Sequence, residues 1–301
     1  MFDSSLETVT GETVTDDGMP VATDAPGVFL YPEAFESVID LLRGGIAALA
    51  ADEPFRRLRI PPVISRRTIE RAGYVKAFPQ LLGTVHSYTG DSRAWSKLAP
   101  MVDEGGPWYA DQEVSDLVLL PAACYPVYAS IADRPLAGPA RFAVEACCFR
   151  QEATAETGRL RTFRMSELVT AGSEDHCIAW RGRWLERVAE WMTAMSLEVS
   201  IEVADDPFFG PGRKLYQAAQ RAQELKWELR VPVGGDQVQA IASGNYHKDH
   251  FGETYGFTAD GEIGHTACMA FGMERVALAM VNVHGPHTER WPAAVTALLG
   301  R

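Results

Sequence analysis

Apolar segments with strand-like alternation come in runs along this chain, with helical segments between the runs and no regular strand–helix–strand alternation. That order points to an α+β fold on a mainly antiparallel sheet flanked by helices. Residues 141–150 and 162–169 read as strands on either side of a polar loop, 154–158. Residues 229–233 and 237–242 read as two more, 117–129 as a buried strand and turn, and 264–280 as strand, turn and helix. The spacing of apolar residues predicts helices over 33–50, 66–77, 180–203 and 213–226. Ser65 is placed to cap the second, and the breaker Gly210-Pro211-Gly212 precedes the fourth.

Composition removes several classes of function. The 301 residues are 47% hydrophobic, enough for a real core, yet no apolar run approaches the ~20 residues of a membrane helix. The start, Met1-Phe2-Asp3, has neither a basic region nor an apolar stretch behind it, so no secretory signal is read and a cytoplasmic protein is expected. The net charge of −12 argues against a broadly basic nucleic-acid binder. Nine acidic residues precede the first basic one, Arg43. Residues 1–26 are expected to form an acidic, loosely attached tail, and 27–301 the folded domain. Between Glu53 and Lys76 seven basic residues face two acidic ones. That stretch is either a solvated helix face or a patch for phosphate or a partner. Five cysteines, an odd and sparse set, fit reduced thiols or a metal site better than a disulfide framework.

Two segments carry candidate chemistry. In Phe149-Arg150-Gln151-Glu152, the Arg and the Glu lie two apart and share one strand face. An arginine can fork onto phosphate while a carboxylate accepts from an amino group. Gly158-Arg159-Leu160-Arg161-Thr162-Phe163 then supplies a second arginine and an aromatic that could close over a nucleotide; an edge hairpin with surface ion pairs is the plainer alternative. In Gly272-Met273-Glu274-Arg275, an arginine stands in the first turn of an apolar helix, where the backbone already favours anions. Cys147 and Cys148 are adjacent on a strand and cannot chelate together, and Cys177 reads as core. The run His247-Lys248-Asp249-His250 reads as a polar surface loop rather than a metal cluster.

Taken together, the two arginine segments resemble motifs 2 and 3 of the class II aminoacyl-tRNA synthetases. Residues 66–77 with Phe78-Pro79 resemble a degenerate motif 1, and Asp205-Asp206-Pro207-Phe208-Phe209-Gly210 also occurs in that superfamily. Cys124, Glu167 and Cys268 fall where the atypical, zinc-dependent seryl-tRNA synthetases hold their metal. Glu174 is the rival carboxylate. Only about 65 residues precede the motifs, and they are acidic on balance, so they are expected to be too few and of the wrong sign for a tRNA-binding domain. The chain therefore looks like the shortened relatives of those enzymes, the amino acid:carrier protein ligases.

The resemblance implies an ATP-dependent ligase. It would make an adenylate of glycine or alanine and transfer it to the phosphopantetheine thiol of a carrier protein, as a homodimer and without tRNA. Arg150 would hold the α-phosphate and Arg275 the γ-phosphate. Glu152 would read the adenine amino group, Arg159 and Leu160 cover ATP, and Phe163 stack on adenine. Gln239, Ala240, Ile241 and Ala242 would line the nucleotide and Mg²⁺ site. Gln239 stands where seryl enzymes have a metal-binding Glu, so Mg²⁺ is expected to ride mainly on ATP. Cys124, Glu167 and Cys268 would hold one Zn²⁺, whose open position takes the substrate amine. The predicted helix 213–226, with Lys214 and Arg221 exposed, is the candidate carrier dock. Trp227, Met269 and Ala267 are candidates to narrow the amino acid pocket. Two alternatives stay open: a trimmed seryl-like tRNA synthetase, and a catalytically silent paralogue with a regulatory role.

Overall fold

Residues 18–152, 158–235 and 237–300 are described in the computed structural model of the chain. Seven strands build the central sheet: β1 (Arg56–Arg59), β2 (Ala140–Phe149), β3 (Thr162–Gly172), β4 (Ser200–Val203), β5 (Lys226–Gly234), β6 (Gln237–Lys248) and β7 (His265–Gly272). Their order is β4-β5-β6-β7-β3-β2-β1, and each neighbouring pair is antiparallel except β1 with β2. The antiparallel α+β reading of the sequence holds. Strands β2 and β3 pair from Ala140↔Ala171 to Phe149↔Thr162. Of the loop expected between them, residues 153–157 lie outside the described residues, as do residues 1–17 of the expected tail.

Period-two alternation sorts the side chains of β3 between two cores. Leu168 joins a cluster with Phe35, Leu42, Trp180, Trp184, Met269 and Met280, under helices α1 (Glu33–Leu49), α3 (Glu174–Ala194) and α6 (Met273–His284). Val169 and Ala171 face the other way. They join Ile69, Leu120, Tyr128, Phe251 and Cys268, under α2 (Tyr125–Ser130), α5 (His250–Tyr255) and two helical turns, Arg66–Arg71 and Tyr74–Ala77. One further helix, α4 (Arg213–Ala222), buries no residue completely.

Several boundaries differ from the sequence reading for local reasons. Residues 66–77 are not one helix: Gly73, at φ 75°, interrupts it, a left-handed conformation that glycine takes without strain. Ser65 occupies the capping position without a side-chain cap bond. The predicted helix 180–203 instead starts at Glu174 and stops at Ala194, where Ser196 turns left-handed (φ 66°) and Leu197 N–H returns to the Met192 carbonyl. Its apolar pattern ran on because β4 follows. Tyr125–Ser130 is helical, with Pro126 in its first turn, where a missing N–H costs nothing. The predicted helix 213–226 ends at Ala222, and Lys226 opens β5. Sequence reading passed over the helix Ser92–Asp103, whose N-terminus is capped by Asp91 accepting from Arg93 and Ala94 N–H. Within the expected tail, Val21–Ala22 pairs with Phe29–Leu30. Just beyond it, the Gly27 carbonyl accepts the Arg161 N–H at 2.8 Å, which fastens this segment beside the chain that enters β3.

Glu53 joins α1 to the sheet. Its carboxylate accepts the indole N–H groups of Trp180 (3.1 Å) and Trp184 (3.0 Å) and lies 2.9 Å from Arg141 Nε. Both indoles belong to the core, so removing the acceptor strands two buried donors. Glu53→Ala is expected to lower the unfolding free energy by about 2–3 kcal/mol, and Glu53→Gln by less, as measured by urea denaturation.

Candidate active site

Strand pairing and one covering helix bring three anionic donors together. Glu167 on β3 is opposite Ala270 of β7, and Cys268 is opposite Val169, so Glu167 and Cys268 are diagonal neighbours on one face. Cys124 comes from above them, at the N-terminal end of α2. The ligand atoms of the three lie within 4.8 Å of one another, and all three residues are buried. Neighbours fix their orientation. Glu167 Oε1 accepts the Ala123 N–H at 2.8 Å, and Asn245 Nδ2 donates to Cys268 Sγ at 3.3 Å. Glu174, the rival carboxylate, instead accepts from the Tyr246 hydroxyl at 3.2 Å in the first turn of α3.

Without a cation this set cannot be fully ionised. Burial, followed by the nearby Cys268 charge, pushes the Glu167 carboxyl up to about 8. The hydrogen bond to Cys268, burial and the Glu167 charge raise the Cys124 thiol. Two sulfurs and a carboxylate at this spacing match the donor preference of Zn²⁺, and three protein ligands leave one position for a small molecule. Cys148 is buried and Cys147 exposed on the opposite face, and neither belongs to the cluster.

A second cavity adjoins the first. Arg150, Glu152, Arg159, Leu160, Phe163, Ala240, Ile241, Ala242 and Arg275 all line it, together with Gly158. Arg150 donates from Nε to the Pro121 carbonyl (3.3 Å), and its guanidinium lies 5.4 Å from the centre of the Phe163 ring. Arg275 donates to the carbonyls of Gly158 (2.8 Å) and Ala240 (3.0 Å). Burial, then the charges of Arg150 and Arg159, lower Arg275 to about 10. Four cationic side chains and three carboxylates (Glu152, Glu228, Glu274) line this cavity, a small cationic excess that suits a polyphosphate. Gly158 is left-handed (φ 77°), and a Cβ there would meet Gln239 Oε1 at 2.5 Å. Gln239 is thus packed behind the loop and does not line the cavity.

The remaining assignments divide. Lys214 is exposed on α4, whereas Arg221 is committed to Asp205 and, at 3.0 Å, to the Val203 carbonyl. Ala267 and Met269 do not narrow the pocket. Alternation turns them into the core opposite Cys268 and Ala270, and Trp227 lines neither cavity. His247 is not in a surface loop. It is the penultimate residue of β6, lines the cavity of the sulfur cluster, and its Nε2 stands 3.8 Å from Cys268 Sγ. Lys226 and Ser243, unassigned from sequence, line both cavities. The alternation Lys226-Trp227-Glu228-Leu229-Arg230-Val231 was the available sign that Lys226 belongs to a strand.

With this geometry in place, comparison with known proteins is direct. The chain is 41% identical over 278 residues to amino acid–acyl-carrier-protein ligase 1 of Bradyrhizobium diazoefficiens, covering 91% of this chain and 85% of that one. Ligase 2 of the same organism is 41% identical over 281 residues. A type-2 serine–tRNA ligase of Methanococcus maripaludis is 28% identical over 197 residues, and the match spans only 38% of that protein. No family model matches. In fold, the chain superposes on the M. kandleri seryl-tRNA synthetase, crystallised with A. aeolicus tRNASec, with TM-score 0.79 at 19% identity. The match covers 94% of this chain and 58% of that one. Against the ATP complex of the Pyrococcus horikoshii enzyme the TM-score is 0.61. The fold is that of the class II seryl-tRNA synthetase catalytic domain.

The raised Glu167 and Cys124 fix the sign of a pH effect. Both hold protons near pH 7 in the metal-free protein, and a thiophilic divalent ion must displace them. Zn²⁺ affinity is expected to rise between pH 6 and pH 8 with release of at least one proton, read by calorimetry in buffers of different ionisation enthalpy. Cys268→Ala is expected to abolish stoichiometric uptake.

Proposed function

The chain belongs to the amino acid–acyl-carrier-protein ligases, and from that premise we propose that it activates glycine or alanine with ATP and passes it to the phosphopantetheine thiol of a carrier protein. The observation that carries this reading is the contact between two unlike cavities, one lined by arginines and one by a buried Cys–Glu–Cys cluster. One suits a nucleotide and the other suits an amine.

In the first step a carboxylate oxygen of the amino acid forms a bond to the α-phosphorus of ATP, and pyrophosphate leaves with the electron pair of the broken P–O bond. In the second, the carrier thiol attacks the adenylate carbonyl, giving a thioester, AMP and a proton. Arg150, where the cavities meet, stabilises charge on the α-phosphate. Arg275 neutralises the distal phosphates. Glu152 accepts from the adenine amino group, Arg159 and Leu160 cover the nucleotide, and Phe163 offers its ring to the base. A Zn²⁺ ion held by Cys124, Glu167 and Cys268 would supply a Lewis-acid position for the unprotonated α-amine. Mg²⁺ accompanies ATP, with no carboxylate at Gln239 to receive it. Tyr125, His247 and Phe251 line the cavity beside the cluster, and a small amino acid is the substrate we favour there.

For the carrier, α4 is the dock we favour. Lys214, Leu215 and Tyr216 are exposed on it, Leu215 by 73%, so an acidic partner with an apolar centre would be complemented. We also propose a homodimer, with the segment 66–77 that resembles motif 1 at its interface. A cytoplasmic location completes the reading, and among the described residues no helix is long and apolar enough to cross a membrane.

Amino-acid-dependent pyrophosphate exchange with glycine or alanine, and labelling of phosphopantetheinylated carrier but not of tRNA, are the expected results. Absence of exchange with every amino acid would overturn the reading. Arg150→Ala is expected to slow exchange by about 10²–10³-fold. Lys214→Glu is expected to raise the KM for carrier several-fold in the transfer assay.

A further inference from the structure

Bringing a carboxylate against an α-phosphate joins two anions at the boundary of the two cavities. Among the described residues, two cationic side chains line both: Arg150 and Lys226. Arg150 is accounted for above. Lys226 lies at the start of β5, with Nζ 2.8 Å from Asp206 Oδ1 and 3.2 Å from Glu228 Oε1. An ammonium has three donors, and two carboxylates take two of them. The third is left for the space the cavities share. Asp206 is itself held. Its Oδ2 accepts from Gln220 Nε2 of α4 at 2.8 Å, and its backbone N–H donates to Gln220 Oε1 at 2.7 Å. Burial works against the charge on Lys226, but Asp206 and then Glu228 outweigh it and keep the ammonium ionised.

We propose that Lys226 is a second catalytic cation of adenylate formation, set beside Arg150 on the wall between the nucleotide and amino acid cavities, and that Asp206 is its positioning residue. The inference rests on the ligase reading and deepens it. As the carboxylate oxygen bonds to the α-phosphorus and the bond to the β-phosphate oxygen breaks, negative charge concentrates on the non-bridging α-oxygens. Lys226 and Arg150 take that charge from two sides, and no proton is transferred. Asp206 fixes where the ammonium points through a contact anchored on α4, while Glu228 holds it from the next position on the same face of β5.

The test is pyrophosphate exchange by the full-length protein loaded with Zn²⁺ at saturating ATP and amino acid. Lys226→Ala is expected to lower kcat about 10²-fold with the KM for ATP changed less than threefold. Methylammonium, a free ammonium of the missing kind, is expected to restore at least tenfold of the loss. Asp206→Asn is expected to lower kcat about tenfold, again with little change in KM. Exchange by Lys226→Ala within threefold of wild type overturns the catalytic role. So does a loss that neither methylammonium nor Lys226→Arg recovers, since that marks a scaffold residue. An Asp206→Asn enzyme equal to wild type overturns the positioning role. Wild-type protein without exchange would instead sink the ligase reading, and the inference with it.

Discussion

Two sulfurs and a carboxyl group, buried on the wall of a cavity with their donor atoms within 4.8 Å of one another, pose a charge problem that shapes this molecule. The hydrogen bond from Cys124 lowers the Cys268 thiol, while Cys124 and Glu167 are raised and hold protons, so one sulfur carries the charge of the set. A divalent cation would displace those protons and balance the charge, and on that ground we propose the cluster as a metal site rather than core packing. The fold supplies it cheaply. Antiparallel pairing of β3 with β7 sets Glu167 and Cys268 on one face, and the turn into α2 lowers Cys124 onto them. The Ala123 N–H and the Asn245 amide then hold two of the donors in orientation.

The second cavity has the opposite excess. Arg150, Arg159 and Arg275 line it, and burial of Arg275 together with the charges of the other two pulls Arg275 down to about 10. Both imbalances are corrected by the substrates we propose. A nucleotide polyphosphate satisfies the arginines, and an amine satisfies a cation held by the sulfur cluster. The shared wall, with Arg150 and Lys226 in it, is where those substrates would react. The ion pairs around Glu274 brace the same region from behind. Its carboxylate takes the Arg164 backbone N–H at 2.8 Å and the Arg164 side chain at 2.7 Å, which ties the start of α6 to β3.

Much of this was legible in the sequence because alternation and helix-start chemistry are local. Gly272 through Arg275 could be placed at a helix start from their neighbours alone, whereas Arg150 and Glu152, expected on a strand face, lie just past the end of β2 at Phe149. The cysteine–glutamate set was legible only through resemblance, since Cys124, Glu167 and Cys268 are far apart in sequence and meet through sheet pairing. Lys226 was missed because the helical pattern of α4 runs smoothly into β5, and a helix end and a strand start look alike over four residues. His247 was misplaced for a similar reason: its polar neighbours resemble a loop, while β6 continues through it to Lys248. The pocket candidates Ala267 and Met269 failed on parity alone, one residue out of phase with Cys268.

The most direct measurement is a crystal structure of the Zn²⁺-loaded protein with a non-hydrolysable glycyl-adenylate analogue. The expected result is anomalous scattering from one zinc ion bound by Cys124, Glu167 and Cys268, the glycyl nitrogen as its fourth ligand, and the phosphate surrogate between Arg150 and Lys226. A glycyl nitrogen bound away from these three side chains, or zinc absent from them at full occupancy of the analogue, would contradict it.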